Sequence, residues 1–297
     1  MQRDAVMLDT IIRLLIIGIS RGTMYVLMAL GLALIWGVNR IINFAHSEFY
    51  MIGAYFAFFL VSMFNLNPVI AIFIVACFSF AIGWLFENVL IHPLRILGGR
   101  EWLINSLVLT LGFSMILQNL ALGFIGPQFK GVPYYWKGTL NLLGMQLSVE
   151  RVFFIVATVG AGIAYYYFLQ KTKLGKAIRG VADNVEAAQA SGINIDHIYA
   201  ISFGVSAMLA GMAGALLLPL TTAYPTCGVA PLYSAFVVII IGGIRNVMAP
   251  IIGGFAMGII ETLAVSYLGF GWDRVISMAI VTLALIIKPH RIEEERA

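Results

Sequence analysis

The sequence is poor in charged residues. Only 11% of its 297 residues are Asp, Glu, Lys or Arg, whereas a soluble domain usually carries about a quarter. Hydrophobic residues make up 61% of the chain, and they recur in long runs along its whole length. A helix of about 20 apolar residues is long enough to cross a bilayer. The composition therefore argues against a soluble domain and predicts a polytopic membrane protein.

Cysteine and histidine are also scarce, and the net charge is small. The two cysteines, Cys77 and Cys227, have no CxxC spacing, so they indicate neither a metal site nor a disulfide framework. The four histidines are scattered and match no zinc-ligand spacing. The formal net charge of +4 is small, and it informs on topology more than on a nucleic-acid partner. We expect no metal, no cofactor and no nucleic-acid partner.

Motifs that carry enzyme chemistry are missing as well. There is no GxxxxGK[ST] phosphate loop, because Gly175-Lys176 is followed by Ala177 and lacks the upstream glycine. A GxSxG pattern occurs at 18–22, but it lies in an apolar helical run and not in the strand–turn–helix that a nucleophile elbow requires. The sequence therefore predicts a protein that is not an enzyme and does not hydrolyse ATP by itself.

Nine apolar runs are candidate membrane helices. Residues 5–21 are ambiguous, because Arg13 and Arg21 interrupt them, so this segment either lies in the interface or extends the first span. We predict an all-α, polytopic bundle of eight or nine spans that forms a single transmembrane domain over residues 1–297. The runs are 22–38, 48–64, 69–90, 102–125, 152–169, 198–222, 232–248, 250–268 and 275–287.

Basic residues in the connections between these runs predict how the helices are oriented in the membrane. With nine spans most of them fall on one side, which the positive-inside rule identifies as the cytoplasm. We therefore expect the N-terminus outside, the C-terminus in the cytoplasm, and residues 126–151 in an external loop. The basic residues on the predicted cytoplasmic side are Arg40, Arg95, Arg100, Lys171, Lys173, Lys176, Arg179, Lys288, Arg291 and Arg296.

The predicted external loop contains three consecutive aromatic residues, Tyr134, Tyr135 and Trp136. Tyrosine and tryptophan are enriched at membrane–water interfaces. We expect these three side chains to lie in that interface, and docking of an external partner is the alternative.

Glycine is abundant for a helical protein, with 30 residues. Several small residues recur at a spacing of four, which lets helix backbones approach each other closely in lipid. This pattern predicts a tightly packed bundle. The pairs are Gly18/Gly22, Ala207/Gly211, Ala210/Gly214 and Gly254/Gly258.

Polar residues separate the first two runs, in the stretch NFAHSE at 43–48. One interpretation is structural: Ser47 caps the second helix, and Glu48 lies in its first turn, where the helix dipole favours negative charge. The other is functional: the chain dips into the bundle, and Asn43 and His46 line a polar route. The two interpretations are compatible, and both stay open here.

The most hydrophilic connection is the predicted cytoplasmic loop at 171–197. Asp183 and Glu186 have the spacing of a capping box, and the alanines that follow favour a helix. Gly192 is placed to end that helix. We predict a short helix over 184–191 whose alanine-rich surface, including Ala187 and Ala188, enters a groove of another protein. A solvated helix without a partner is the alternative.

Several stretches resemble one family. EAAQASG at 186–192 matches the EAAxxxG core of the loop by which bacterial ABC-importer permeases contact their ATPases, although the usual downstream IxLP is absent. IINFAHSEFYMIGAY at 41–55 resembles the INFAHGE segment of the branched-chain amino acid permeases of the LivH type. Residues 175–194 and 237–255 resemble later segments of that family. Two departures are Ser47 in place of glycine, and Arg245-Asn246 in place of Gly-Ser.

The resemblance implies a subunit of a heteromeric importer in a bacterial inner membrane. Its partners would be a second permease of the LivM type, two cytoplasmic ATPase subunits that use the ATP, an external solute-binding protein and membrane lipid. The implied ATPase-coupling residues are Asp183, Glu186, Ala187, Ala188 and Gly192.

Ionisable residues inside spans are functional candidates, which adds Glu261 to the predicted substrate path. That path then comprises Asn43, His46, Ser47, Glu48 and Glu261. Branched-chain amino acids are the first substrate expected. The alternatives are a permease of the same type for urea or short amides, a self-sufficient secondary carrier or channel, and a membrane scaffold.

Overall fold

The computed structural model describes residues 2–142, 145–243 and 247–287; Arg245, Asn246, Lys288, Arg291 and Arg296 therefore lie outside the described residues. Within these ranges the chain is helical almost throughout. Its helices are α1 Gln2–Val38, α2 His46–Ser62, α3 Pro68–Phe86, α4 His92–Leu97, α5 Trp102–Phe124, α6 Val149–Lys171, α7 Lys173–Asp183, α8 Val185–Ala190, α9 Ile195–Leu217, α10 Val229–Gly242, α11 Met248–Leu268 and α12 Trp272–Ile287. A π-helical turn, Glu87–Ile91, joins α3 to α4, and a 3-10 turn, Gly99–Glu101, precedes α5.

The nine predicted apolar runs each correspond to a helix. In the described part of the chain, six helices are long and apolar enough to cross a membrane, and α10 is a shorter apolar helix. The remaining two, α2 and α12, have 17 and 16 residues. The predicted all-α polytopic bundle is confirmed, and the predicted number of spans fits this arrangement.

The ambiguous segment before the first run is part of α1. This helix continues without a break for 37 residues. Arg21 lies inside it, and its guanidinium lies 3.9 Å from the Asp273 carboxylate at the start of α12. A nearby carboxylate lowers the cost of a charge inside a helix that packs on the bundle, so the arginine does not end the span.

Glycine pairs hold α1 against α11. A Cβ atom on Gly18 would lie 2.7 Å from Ile259 Cα, and one on Gly22 would lie 2.8 Å from Phe255 Cα. From the opposite side, a Cβ on Gly258 would collide with the backbone of α1. The two predicted four-residue pairs therefore face each other, and the absent side chains let the two backbones touch.

Helix α9 forms the centre of the bundle, and most of its residues are buried. Its small residues contact two helices: a Cβ on Gly211 would collide with Ser79 of α3, and one on Gly214 would collide with the Tyr50 carbonyl of α2. The predicted tight packing at these pairs is confirmed.

The connection between α5 and α6 contains a β-hairpin that the sequence did not predict. Strand β1, Thr139–Leu142, pairs antiparallel with strand β2, Met145–Ser148. Earlier in the same loop, Lys130 exchanges two backbone hydrogen bonds with Ala223, in the connection between α9 and α10. The loop is thus fastened to a second loop on the same end of the bundle.

Tyr135 does not present its side chain at the protein surface, so the expected contact with the membrane–water interface is wrong for this residue. Its side chain is buried, and its hydroxyl donates to the Ala215 carbonyl over 2.6 Å. Burial raises the pKa of the Tyr135 phenol above its ordinary value, so the phenol remains protonated as a donor. Trp136 is half-buried against Phe153, with ring centroids 4.4 Å apart. Tyr134 is exposed.

Candidate functional site

The segment between α1 and α2 is non-helical and lies inside the bundle. Asn39, Ile41, Asn43 and Ala45 are all buried, while Arg40 is exposed and has a φ of 56°. The predicted dip of the chain into the bundle is therefore present. Non-helical backbone at such depth is tolerated where protein surrounds it.

Ser47 does not cap α2, so the predicted capping role is wrong. The helix begins two residues earlier than that prediction required, and its N-cap position is Ala45, which offers no side-chain acceptor. Ser47 Oγ instead lies 3.0 Å from the Phe44 carbonyl and 2.8 Å from Glu48 Oε1. Its single proton is shared between these two acceptors.

Glu48 lies in the first turn of α2, as predicted, but its contacts extend well beyond that turn. The carboxylate is buried, and its Oε1 accepts from Ser114 Oγ over 2.7 Å and from Gln118 Nε2 over 2.8 Å. Both donors belong to α5. We call Ser47, Glu48, Ser114 and Gln118 the Glu48 cluster. The other oxygen, Glu48 Oε2, has no hydrogen-bond partner among the described residues.

Sequence reasoning missed Ser114 and Gln118. Their four-residue spacing places them on one face of α5, in a helix that is otherwise mostly apolar. A polar pair at that spacing in a membrane helix is a signal that could have identified them.

Two further residues of the predicted path are fully enclosed. His46 Nε2 lies 3.2 Å from the Met28 carbonyl, and Nδ1 lies 3.3 Å from Ser206 Oγ of α9. Asn43 is also buried, yet neither its amide oxygen nor its amide nitrogen has a hydrogen-bond partner among the described residues. An unpaired amide at such a position is costly and therefore unusual in a folded protein.

Glu261 belongs to a separate group. Its Oε1 accepts from Ser234 Oγ over 2.7 Å and from Ser277 Oγ over 2.8 Å, and its Oε2 accepts from the Tyr25 hydroxyl. These donors lie on α10, α12 and α1. Within the described residues, Glu261 and Glu48 share no hydrogen-bond partner, so the structure does not join all five predicted path residues in one cluster.

A third polar group lies where α3 gives way to α4. Glu87 in the π-helical turn is buried and forms an ion pair with Arg95 of α4. Arg95 also approaches α9: a guanidinium nitrogen lies 3.5 Å from Asp196 Oδ1, and the group lies 4.2 Å from the Tyr199 ring centroid. Asn39 Nδ2 lies 3.4 Å from Glu87 Oε2. The chain entering α9 is thus connected to the non-helical segment after α1.

The short helix after α7 is α8, and its N-terminus differs from the prediction. Asn184 is the N-cap, with extended backbone and a side chain that accepts from the Ala187 N–H over 2.9 Å. Asp183 is the last residue of α7 and does not cap α8, so the predicted capping box of Asp183 and Glu186 is wrong. The reason is that α7 continues to Asp183, which leaves only Asn184 outside helical geometry.

The C-terminus of α8 agrees with the prediction. Gly192 has a φ of 81°, which glycine adopts without a Cβ penalty. The Ile193 N–H bonds the Ala188 carbonyl over 3.1 Å, and the Gly192 N–H bonds the Gln189 carbonyl over 2.9 Å. This pair of hydrogen bonds is a Schellman motif, and it sets the direction in which the chain leaves α8.

Fewer alanines of α8 are exposed than the sequence pattern suggested. Glu186, Ala187, Gln189 and Ala190 are exposed, whereas Ala188 is buried against the rest of the chain. Ala187 and Ala190 therefore provide the small, open patch on this helix. Ala188 anchors the helix to the bundle.

Comparison with known sequences gives the family. A family model described as "Branched-chain amino acid transport system / permease component" matches residues 14–286 of the chain. The chain belongs to this family. The resemblance to the branched-chain amino acid permeases is thereby confirmed, and the permease is a membrane transport subunit.

Individual relatives cover nearly the whole permease. LivH of Escherichia coli, a high-affinity branched-chain amino acid transport system permease protein, is 30% identical over 92% of each chain. BraD of Pseudomonas aeruginosa, with the same description, is 29% identical over 93% of each chain. A probable LivH of Methanocaldococcus jannaschii is 30% identical over 90% of this chain and 87% of its own. No solved structure gives a significant match.

Proposed function

We propose that this permease is the translocation subunit of an ATP-binding-cassette importer for branched-chain or other small amino acids. The observation that carries this proposal is α8, a capped helix with small exposed residues, Ala187 and Ala190, between two helical segments of a chain whose relatives are transport permeases. A short helix held rigidly at both ends is suited to transmit movement from a partner to the bundle.

The energy for transport comes from other subunits of the importer. The sequence has no phosphate loop, so two separate ATPase subunits hydrolyse the ATP and press on α8. Glu186 and Ala187 form the contact, and Gly192 directs the chain towards α9. Ala188 supports the helix from the bundle side, and Asp183 precedes its N-cap. A second permease of the LivM type and an external solute-binding protein complete the importer.

The substrate path includes the non-helical segment before α2. Asn43 and Glu48 support this assignment, because each is buried and has polar atoms without a partner among the described residues. The zwitterion of a small amino acid offers an ammonium to the carboxylate and a carboxylate to the amide. His46 and Ser47 hold the segment in place, and Glu261 lies on a second wall of the bundle.

The orientation follows from the basic residues. Lys171, Lys173, Lys176 and Arg179 lie at one end of the bundle, at the C-terminus of α6 and in α7. The positive-inside rule puts that end in the cytoplasm of a bacterial cell, so the hairpin loop at 126–151 is external and the C-terminus is cytoplasmic. Helix α8 then faces the compartment that contains ATP.

The experiment reconstitutes the permease with its partner subunits and measures ATPase co-purification and substrate-stimulated uptake. Ala187→Arg places bulk and charge on the exposed patch, and Gly192→Val forces a β-branched residue into a left-handed conformation. Both variants should insert normally and lose ATPase binding or uptake. Thr139→Arg, on the hairpin, is the control and should retain both.

Two results would contradict the proposed coupling, and a third would contradict the proposed substrate. Full ATPase binding and uptake by both α8 variants would show that this helix does not couple the subunits. Uptake that persists without any ATPase would assign the permease to the secondary carriers. Competition by urea or an amide, without competition by leucine or valine, would replace the substrate class while leaving the coupling scheme intact.

A further inference from the structure

An apolar crevice lies between α1, α6 and α11. It has a volume of about 200 Å³ and is lined almost entirely by carbon atoms. Its α6 wall includes Val159, Ile163 and Tyr166, all of which are partly exposed, so the crevice is accessible from the membrane side. Ile251 and Phe255 of α11 form the opposite wall.

One end of this crevice lies close to the end of α6. Tyr166 is the lining residue furthest along that helix, and α6 ends five residues later at Lys171. At the helical rise, five residues span roughly 8 Å. Met248, the first residue of α11, also lines the crevice, which places the start of α11 beside the last turns of α6.

A cluster of cations stands at that end. Lys171, Lys173, Lys176 and Arg179 are all exposed. None of the four forms an ion pair with an acidic residue in the described part of the chain. Four unpaired cations within nine residues create a positive surface that attracts anions.

The fold of α7 keeps three of these cations, Lys173, Lys176 and Arg179, on its outer face. Thr172 is the single residue between α6 and α7, and its hydroxyl accepts from the Gly175 N–H over 2.9 Å. Gly175, Ile178 and Val181 are the buried residues of α7, so its apolar face packs on the bundle. A helix with one apolar and one basic face lies along the membrane surface, with its charges at the level of the lipid headgroups.

We propose that the crevice and the basic cluster together bind an anionic phospholipid of the cytoplasmic leaflet. One acyl chain occupies the crevice between α6 and α11, and the headgroup phosphate lies at Lys171 and Lys173. Apolar walls alone would accept any lipid tail, and cations alone would accept any anion. The presence of both, separated by about the depth of a headgroup, selects an anionic lipid. The assignment to this leaflet rests on the orientation given under the proposed function.

The position of this lipid has a consequence for coupling. The headgroup lies where α6 turns into α7, and α7 continues through Asn184 directly into α8. A bound anionic lipid therefore holds the junction of α6 and α7 in place, and α7 connects this junction to α8. Loss of the lipid should loosen α8 without removing any residue that contacts a protein partner.

The test is lipid retention by the complete importer complex, measured by native mass spectrometry after exchange into nanodiscs of equal parts phosphatidylglycerol and phosphatidylethanolamine. The wild type should retain phosphatidylglycerol in preference. Lys171→Gln/Lys173→Gln should reduce that preference about fivefold for each charge removed. Lys130→Gln/Lys137→Gln, at the other end of the bundle, is the control and should leave it unchanged.

A second pair of variants examines the crevice. Gly162 lines it, and a Cβ there would lie 3.4 Å from Ile251 Cδ1, so Gly162→Val should fill the space without a backbone collision. Gly160 lies two residues away on the same helix, and a Cβ there would meet nothing within 4 Å. Gly162→Val should lose the retained lipid, whereas Gly160→Val should keep it.

Several results would overturn the lipid site. One is equal retention of the two lipids by the wild type. Another is an equal loss of the phosphatidylglycerol preference in the two double lysine variants. That result would indicate that the preference depends on the net charge of the protein and not on this site. A third is lipid retention in Lys171→Gln/Lys173→Gln with loss of ATPase co-purification, which would assign these lysines to the ATPase. Lipid retention is measured without transport, so a complex that keeps the lipid but fails in uptake leaves this site standing and rejects the proposed function instead.

Discussion

Gln118 of α5 donates a hydrogen bond to Glu48 of α2 over 2.8 Å, although 70 positions separate the two residues. Ser114, one turn earlier on α5, donates to the same carboxylate oxygen. Most other residues of α5 are not buried by the rest of the chain. The Glu48 cluster therefore connects α5 to the first turn of α2, next to the segment proposed to carry substrate.

The first prediction concerns that connection. Gln118→Leu removes a donor from a buried carboxylate, which should lower the free energy of unfolding by about 1–3 kcal/mol. Asn119→Leu is the matched control, because Asn119 is the next residue, is exposed, and bonds only its own helix at the Met115 carbonyl. Thermal unfolding of both variants in nanodiscs measures the difference. Equal melting temperatures for the two would show that the Glu48 cluster does not stabilise the bundle.

The second prediction concerns Asn43. Its amide forms no hydrogen bond with the described residues, so Asn43→Leu should not weaken the bundle. If the amide contacts substrate, the variant should nevertheless take up substrate more slowly at normal abundance of the complex. His46→Leu should also slow uptake, with some loss of stability, because His46 contacts Met28 and Ser206. Failure of Asn43→Leu to assemble would favour a structural role and contradict the substrate path.

The third prediction concerns the contact between α1 and α11. Gly22→Ala places a Cβ 2.8 Å from Phe255 Cα, where neither backbone can easily move. Overpacking of this kind costs about 1–3 kcal/mol. Gly37→Ala lies on the same helix with nothing within 4 Å of the added atom, and it should not destabilise the protein. Melting temperatures compare the two, and an equal effect would show that the helices separate without cost.

The fourth prediction concerns the ion pair at the π-helical turn. Arg95→Leu leaves Glu87 buried without its cation, which should cost about 3–5 kcal/mol. The double variant Arg95→Leu/Glu87→Leu removes both charges and should recover most of that loss. A double-mutant cycle of unfolding free energies gives the coupling between them. Additive losses would mean that the two side chains act independently.

The fifth prediction concerns orientation. Single cysteines at Lys173 and Lys137, in a background without Cys77 and Cys227, should differ in their reaction with a membrane-impermeant thiol reagent on intact cells. Both positions are exposed, so only sidedness separates them. We expect labelling at 137 alone, and labelling at both positions after the cells are permeabilised. Reaction at 173 alone in intact cells would invert the topology.

The sequence by itself determined the features that depend on a few neighbouring residues. The length of each apolar run predicted a helix, because a bilayer-crossing segment must satisfy its backbone hydrogen bonds internally. Gly192 predicted the end of α8, since a Schellman motif needs a left-handed residue at that position. The glycine pairs on α1 and α11 predicted close packing, although they did not state that these two helices meet.

Only the tertiary structure decided which helices pair and which side chains face inward. Glu48 meets Ser114 and Gln118 because α2 packs on α5, and the mostly apolar surface of a membrane helix does not specify its neighbour. The cap of α8 is Asn184 and not Asp183, because Asp183 is the last residue of α7. Ala188 and Tyr135 point inward for a similar reason: burial is a property of the assembled bundle, and local sequence does not encode it.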